Sequence, residues 1–232
     1  MKIQDLPQIP SQRTNQFQAA RKRVLWRIKV GTLGFLKRSM DIAVVLPALV
    51  LLAPLFLVVE LCIRLYDGGP VLYWQKRVGR RGSAFAFPKF RSMCVDSDAV
   101  RAKIVAMNQH GADGVTFKMK RDPRITPTGR VIRRFSIDEL PQLWCVLTGQ
   151  MTLVGPRPPM PSEVARYSLR DRERLSVVPG LTCFWQVNGR SEIPFDQQVE
   201  MDIDYIHQRS LWTDIKLLFK TIPAVLFGRG AY

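Results

Sequence analysis

Two carboxylates stand side by side, Asp138 and Glu139, in a stretch running from Arg133 to Pro159 with the sequence RRFSIDELPQLWCVLTGQMTLVGPRPP. Arg133 and Arg134 precede them and a Pro-Arg-Pro loop carrying Arg157 follows. Neighbouring residues on a helix point roughly 100° apart, so the two acids are free to do different work. One can attack a phosphorus centre while the other holds a divalent cation that neutralises the phosphate under attack. Mg²⁺, or Mn²⁺ in its place, takes oxygen ligands and keeps several waters, so one or two carboxylates plus substrate phosphates suffice. The competing structural account is a capping box, because Ser136-Ile-Asp-Glu139 matches S-x-x-E. Pro141 argues against it, since a proline just past the first turn removes a helical donor.

The elements that must position these acids begin with a strongly basic chain. Its 232 residues carry 35 Lys or Arg against 19 Asp or Glu, a net charge of +16, which calls for an anionic partner: nucleic acid, an anionic lipid surface or a phosphorylated substrate. With 47% hydrophobic residues it is no disordered basic tail. Cys62, Cys94, Cys145 and Cys183 are far apart with no C-x-x-C pair, and read as reduced, mostly buried small residues of a cytosolic compartment. His110 and His207 are isolated and suggest no general base.

Residues 1–16 are polar, and Phe17 to Leu36 mixes Arg21, Lys22, Arg23, Arg27 and Lys29 with Val24, Leu25, Trp26, Ile28 and Val30. That pattern suits an anionic membrane surface or a solvated basic helix. No convincing cleavage site follows, so a signal peptide is not expected. The uncharged run Ile42 to Val59 contains Pro47 and Pro54 and is near the lower length for crossing a bilayer. Residues 1–40 hold nine Lys or Arg against one Asp, and residues 64–91 hold seven against one. Cytoplasmic flanks are the basic ones, so both ends belong on one side, and the run is expected to enter one leaflet, bend at a proline and return. A plain transmembrane helix and a buried core helix are the alternatives.

After Asp67-Gly-Gly-Pro70, VLYWQKRV and SAFAFPKF predict a β-hairpin around Gly79-Arg-Arg-Gly82, with Lys89 and Arg91 at the end of its second strand. A helix is predicted from Asp96 or Ser97 to Met107, and a short extended piece over Thr116–Lys120. A helix bearing Arg130, Arg133 and Arg134 leads into the acids, and Leu140–Leu147 continues as a short apolar helix ended by Gly149. Arginine's fork of donors matches phosphate oxygens. Ser162–Leu175 is predicted as a charged, solvated helix, and Asn188-Gly-Arg190 as a turn presenting an arginine. Phe195–Gln208 and Leu211–Phe227 read as helices, the second with Trp212, Ile215, Leu218, Phe219 and Ile222 on its apolar side, to seal the domain or rest on a membrane.

These stretches resemble the bacterial sugar transferases, the monotopic polyprenyl-phosphate phosphoglycosyl transferases. The matching residues are Lys37-Arg-Ser-Met-Asp41, Gly69-Pro70, Gln75-Lys-Arg77, Gly79, Lys89-Phe-Arg-Ser-Met93 and Asp122-Pro-Arg-Ile-Thr126. Asp138-Glu-Leu-Pro-Gln142, Leu153-Val-Gly-Pro-Arg-Pro158, Pro179-Gly180, Gln186-Val-Asn-Gly-Arg190, Asp202, Tyr205 and Ser210-Leu-Trp-Thr-Asp214 complete the match, in order, from about residue 34 onward. Ala53-Pro54 stands where the family often has Ser-Pro, and the chain looks like a minimal catalytic form.

The resemblance implies an α+β, predominantly helical fold: a basic interfacial segment (1–36), a re-entrant membrane helix anchored through Pro47 and Pro54 (37–66) and a globular cytosolic domain with a short β-hairpin (67–232). It implies transfer of a sugar 1-phosphate from a UDP-sugar to polyprenyl (undecaprenyl) phosphate at the cytoplasmic face of a bacterial inner membrane, with release of UMP, at the start of polysaccharide or glycoprotein glycan assembly. Asp138 would be the nucleophile and Glu139 a Mg²⁺ ligand; Lys89, Arg91, Arg133, Arg157, Arg190 and Asp202 would contact phosphate or nucleotide or support such contacts. Its partners would be UDP-sugar, polyprenyl phosphate and membrane lipid, not nucleic acid. The alternative from another class is a membrane-tethered basic module that binds nucleic acid or anionic lipid without catalysis. A second alternative is direct transfer with no covalent intermediate.

Overall fold

The structure is a computed structural model that describes residues 12–95, 97, 122–189 and 192–227, with side chains over 31–225. The predicted helix to Met107, the extended piece over Thr116–Lys120 and Arg190 fall outside the described residues. What is described is mostly helical, with two small sheets. The chain divides between Met40 and Asp41 into two compact units.

Helix α1, Gln12–Asp67, runs through both prolines. Its Gly31–Asp67 part is long and apolar enough to cross a membrane. From Asp41 on, one stripe of α1 at three- and four-residue steps packs on the domain. Val45, Leu49 and Leu52 meet a core built from Phe87, Val146, Met151, Val154 and Leu217; Phe56, Val59 and Ile63 meet Phe90 and Ile132. The remaining circumference is apolar and bare, with Val50 and Leu51 71% and 79% exposed. A soluble protein buries such residues, so the run is not the centre of a soluble core.

Strands β1 (Leu72–Val78) and β2 (Ala84–Phe90) form the predicted antiparallel hairpin, in a register that sets Tyr73 opposite Lys89 and Arg77 opposite Phe85. Helix α2, Pro127–Arg134, starts with Thr126 accepting from the Gly129 N–H and proline at its first position. A 3₁₀ turn, Ile137–Gln142, and helix α3, Leu143–Leu147, follow, and Gly149 closes the segment at φ 84°. Strand β3 (Thr152–Val154) lies parallel to β4 (Gly180–Thr182). Where the two strands diverge the backbones touch: a Cβ on Gly180 would sit 2.0 Å from the Gly155 nitrogen.

One expectation needs correction. The charged helix over 162–175 is broken into α4, Pro161–Val164, and a 3₁₀ turn, Asp171–Ser176, because its charges are pulled inward. Glu163 accepts from the Met160 N–H at 2.9 Å, and Arg174 reaches Asp202. Helices α5 (Phe184–Asn188), α6 (Phe195–Gln208) and α7 (Leu211–Phe227) close the domain. The sealing face of α7 is Asp214, Leu217 and Leu218, whereas Trp212, Phe219 and Ile222 stay 64%, 69% and 56% exposed. Tyr205 draws α7 inward on that side, its hydroxyl 2.7 Å from Asp214 Oδ1 and 2.9 Å from the Val154 carbonyl.

The start of the packed stripe is polar. Asp41, 2% exposed, accepts the Thr152 hydroxyl at 2.6 Å and the Leu153 N–H at 3.1 Å, tying α1 to β3. Hydrogen bonds to a charged acceptor contribute about 1.5–3 kcal/mol each, and removing the acceptor strands two buried donors. Asp41→Ala is expected to cost about 2–4 kcal/mol, measured by thermal or denaturant unfolding of the detergent-solubilised protein, with Asp41→Asn intermediate.

Candidate active site

Ser136 joins α2 to the acid-bearing turn in the left-handed conformation, φ 55° and ψ 22°. For a non-glycine residue this costs roughly 1–2 kcal/mol. The reversal carries Ile137–Gln142 across β2. The capping box does not form: Ser136 makes no side-chain cap bond, and Glu139 uses its backbone N–H, not its carboxylate, toward Ser136. Pro141 is accommodated because the turn is 3₁₀ and short.

The Glu139 carboxylate turns instead to two cations. Lys89 Nζ donates to Oε1 at 2.7 Å, and Arg157 donates from Nη2 to Oε1 at 2.6 Å and from Nη1 to Oε2 at 3.3 Å. All three side chains are about four-fifths buried, with exposures of 19–20%. Burial alone would raise the Glu139 pKa, but Arg157 and Lys89 outweigh it and hold the carboxyl well below its ordinary range. Lys89 is lowered by burial and by Arg157, against the pull of Glu139.

Asp138 has the opposite surroundings. It is 8% exposed, and among the described residues its carboxylate accepts no hydrogen bond. Burial pushes its pKa up to about 6 against the pull of Lys89, with Glu139 adding to the rise and Arg133 and Arg157 opposing it. Two adjacent carboxylates are thus driven apart, one fully ionised and paired, the other unpaired and close to the range where it exchanges a proton.

Arg157 is aimed by its loop. On one side the Gly180 N–H donates to the Pro156 carbonyl at 2.8 Å; on the other the Val78 N–H donates to the Pro159 carbonyl at 2.9 Å and Arg77 Nη1 to the Pro158 carbonyl at 3.0 Å. The buried Phe87 ring lies between the two cationic groups Lys89 and Arg77, 5.6 and 5.2 Å from its centre.

Of the residues singled out from the sequence, the structure gathers Asp138, Glu139, Lys89 and Arg157, with Arg133 near enough to Asp138 to affect its charge. Arg91 is directed elsewhere, paired through both terminal nitrogens with Asp67 at the end of α1. Asp202, 0% exposed, is held by Arg174, whose Nε donates to Oδ2 at 2.9 Å and whose Nη1 donates to the Tyr167 hydroxyl at 2.7 Å. Burial raises the Asp202 pKa to about 6 against Arg174, and Trp185 Nε1 approaches its Oδ1 without closing a hydrogen bond. Pro47 and Pro54 lie inside α1. Ser136 entered from sequence only as a cap candidate, and Asp41 and Arg77 only as residues of the matching motifs, because the left-handed serine is not signalled by its neighbours and the contacts of Asp41 and Arg77 are distant in the chain.

The family model described as bacterial sugar transferase matches residues 32–228. The chain belongs to the bacterial sugar transferase family. It is 48% identical over 166 residues to the galactosyl transferase CpsE of Streptococcus agalactiae, covering 71% of this chain and 36% of that protein. The exopolysaccharide production protein ExoY of Rhizobium meliloti is 39% identical over 201 residues, covering 86% of this chain and 89% of the relative. The undecaprenyl-phosphate galactose phosphotransferase of Salmonella typhimurium is 43% identical over 200 residues, covering 85% and 42%. This sugar transferase chain therefore spans less than half of two of these relatives and most of the third. All of its gathered site residues lie inside the matched region.

The raised Asp138 pKa makes a stability prediction whose sign can be worked out. Below the ordinary value of 3.8 the group is protonated in both folded and unfolded chains and changes nothing. As pH rises toward about 6 the unfolded chain loses its proton first, so stability falls, and above about 6 the loss is constant. Asp138→Asn removes this penalty and is expected to be more stable than the parent by roughly 2–3 kcal/mol near neutral pH, the difference vanishing at about pH 4. Melting temperature against pH for both proteins reads it directly.

Proposed function

We propose that this sugar transferase moves a sugar 1-phosphate from a UDP-sugar to a polyprenyl phosphate such as undecaprenyl phosphate through a covalent intermediate on Asp138. The observation that carries this is the contrast within the acid pair: Glu139 is paired with Lys89 and Arg157, while Asp138 accepts no hydrogen bond among the described residues. An unpaired carboxylate is a nucleophile in reserve, and the paired one holds its surroundings in place. An Asp138 oxygen attacks the β-phosphorus, the bond from that phosphorus to the bridging oxygen breaks, and UMP departs with the electron pair. A phosphate oxygen of the lipid then attacks the same phosphorus, releasing the Asp138 carboxylate and leaving a polyprenyl diphosphate sugar.

Lys89 and Arg157 face the charge that spreads over the phosphoryl oxygens. A divalent cation fits the donor set in one way only: among the described residues no three His, Cys, Asp or Glu side chains converge, so Glu139, helped by Asp138, would hold Mg²⁺ or Mn²⁺ with substrate oxygens completing its shell. Oε2 of Glu139, with one long contact at 3.3 Å, keeps acceptor capacity for it. The cation would supply charge neutralisation to the diphosphate. Relatives named for galactose transfer make UDP-galactose the first donor to test.

The bare side of α1 belongs in lipid, at the cytoplasmic surface of a bacterial inner membrane, where a soluble nucleotide and a lipid phosphate both reach the acids. Basic residues on both flanks of the apolar run support a re-entrant course, which places residue 39 and residue 66 on the same side.

Purified protein given a panel of UDP-sugars with Mg²⁺ and no lipid is expected to release about one equivalent of UMP and to gain a phosphosugar mass on Asp138. Finding neither rejects the covalent route, and Asp138→Asn turning over at full speed rejects Asp138 as the nucleophile; the expected loss is about 10³-fold or more. For the anchor, single cysteines at Ser39 and Tyr66 in a background lacking the exposed Cys62 are expected to react with the same impermeant reagent from the same face. Labelling from opposite faces means a simple span.

A further inference from the structure

Among the described residues Arg77 is a buried cation without a carboxylate partner. It is 9% exposed, and its hydrogen bonds go to neutral acceptors: Nε and Nη2 to Gln75 Oε1 at 3.0 and 2.7 Å, and Nη1 to the Pro158 carbonyl at 3.0 Å. Gln75 in turn donates from Nε2 to the Met160 sulfur at 3.3 Å. The backbone of the same strand adds the Val78 N–H to Pro159. Three consecutive residues after Arg157, namely Pro158, Pro159 and Met160, are therefore gripped by Arg77, Val78 and Gln75 of β1.

A fold does not ordinarily bury an unpaired guanidinium beside another cation, because desolvation and like-charge repulsion both oppose it. Both act here: burial and then Arg157 lower the Arg77 pKa, Glu163 and Glu139 oppose them, and the result is about 10. Its planar fork spans Gln75 and Pro158 at once, which a lysine cannot reproduce. We propose that Gln75 and Arg77 are positioning residues for the transfer reaction, a clamp that holds the Pro-Arg-Pro loop so that Arg157 stays aimed at Glu139 and at the diphosphate of the donor. This rests on the function proposed above for the diphosphate, but not for the aim of Arg157, which is a property of the free protein.

The clamp acts through Arg157, so its effect must disappear when Arg157 is gone. Full-length protein in nanodiscs is titrated with inorganic pyrophosphate and with UDP, comparing the parent, Arg77→Met, Arg77→Lys, Gln75→Leu, Arg157→Ala and the Arg77→Met/Arg157→Ala pair. Arg77→Met is expected to weaken both ligands about tenfold in the parent and less than about twofold in the Arg157→Ala background, since coupled residues are non-additive. Gln75→Leu, which keeps the charge, is expected to give a smaller loss in the same direction, and Arg77→Lys not to rescue. Additive losses, or full rescue by lysine, overturn the clamp and leave only a charge effect.

Ligand-free hydrogen exchange of the peptide covering residues 156–164 gives an independent readout. Arg77→Met is expected to speed exchange there by about tenfold or more while leaving β3 and β4 protected, with melting temperature confirming a folded chain. Unchanged exchange overturns the proposal. If the parent binds neither pyrophosphate nor UDP, the proposed function fails, while exchange still decides the clamp.

Discussion

The carboxylate of Glu139 is shared by cations from two distant parts of the chain, and the rest of the site is arranged around that sharing. Lys89 arrives on a hairpin strand, Arg157 on a proline-bounded loop, and Glu139 on a 3₁₀ turn that reverses through a strained serine. Burying three charges is costly, and such a cluster contributes less to net stability than apolar residues of the same volume. Its value lies in geometry. Each cation is fixed by contacts outside the cluster, Lys89 by the β1–β2 register and Arg157 by the grips on either side of its loop, so the charges remain in place when a ligand competes for them.

Asp138 is what this arrangement protects. A carboxylate one residue from Glu139 and within the field of the same two cations would ordinarily be drawn into the network. Because Glu139 already occupies Lys89 and Arg157, Asp138 is left buried and unpaired, and its proton affinity rises. The fold thereby separates two chemically similar neighbours without adding a third residue type. The tight turn is what makes this possible, since it projects successive side chains in different directions within a span too short for either to wander.

Much of this was legible in the sequence, and for a definable reason. The hairpin, the basic helix before the acids and the two last helices rest on local periodicity and turn residues, and the structure has them at nearly the expected positions. What depended on contacts far along the chain was not legible. The 162–175 segment has helical composition, yet Arg174 leaves it to neutralise Asp202. The helical wheel of Leu211–Phe227 grouped Trp212 and Phe219 on an apolar side that could seal the domain or rest on a membrane; the side that seals it carries Asp214 and Leu217, where Tyr205 offers a hydroxyl to Asp214. Arg91 and Lys89 are two residues apart, and nothing local says that one meets Asp67 and the other Glu139.

The glycine contact between β3 and β4 sets an order on assembly. A ribosome delivers both acids, the hairpin lysine and the loop arginine well before it delivers Gly180, the residue that lets the Pro156 carbonyl be fastened. Until that glycine has emerged the nascent polypeptide has Lys89, Asp138, Glu139 and Arg157 but not the second strand of the sheet that fastens the Arg157 loop. Fastening of the Arg157 loop is thus a late event in biosynthesis, timed by a residue with no side chain of its own.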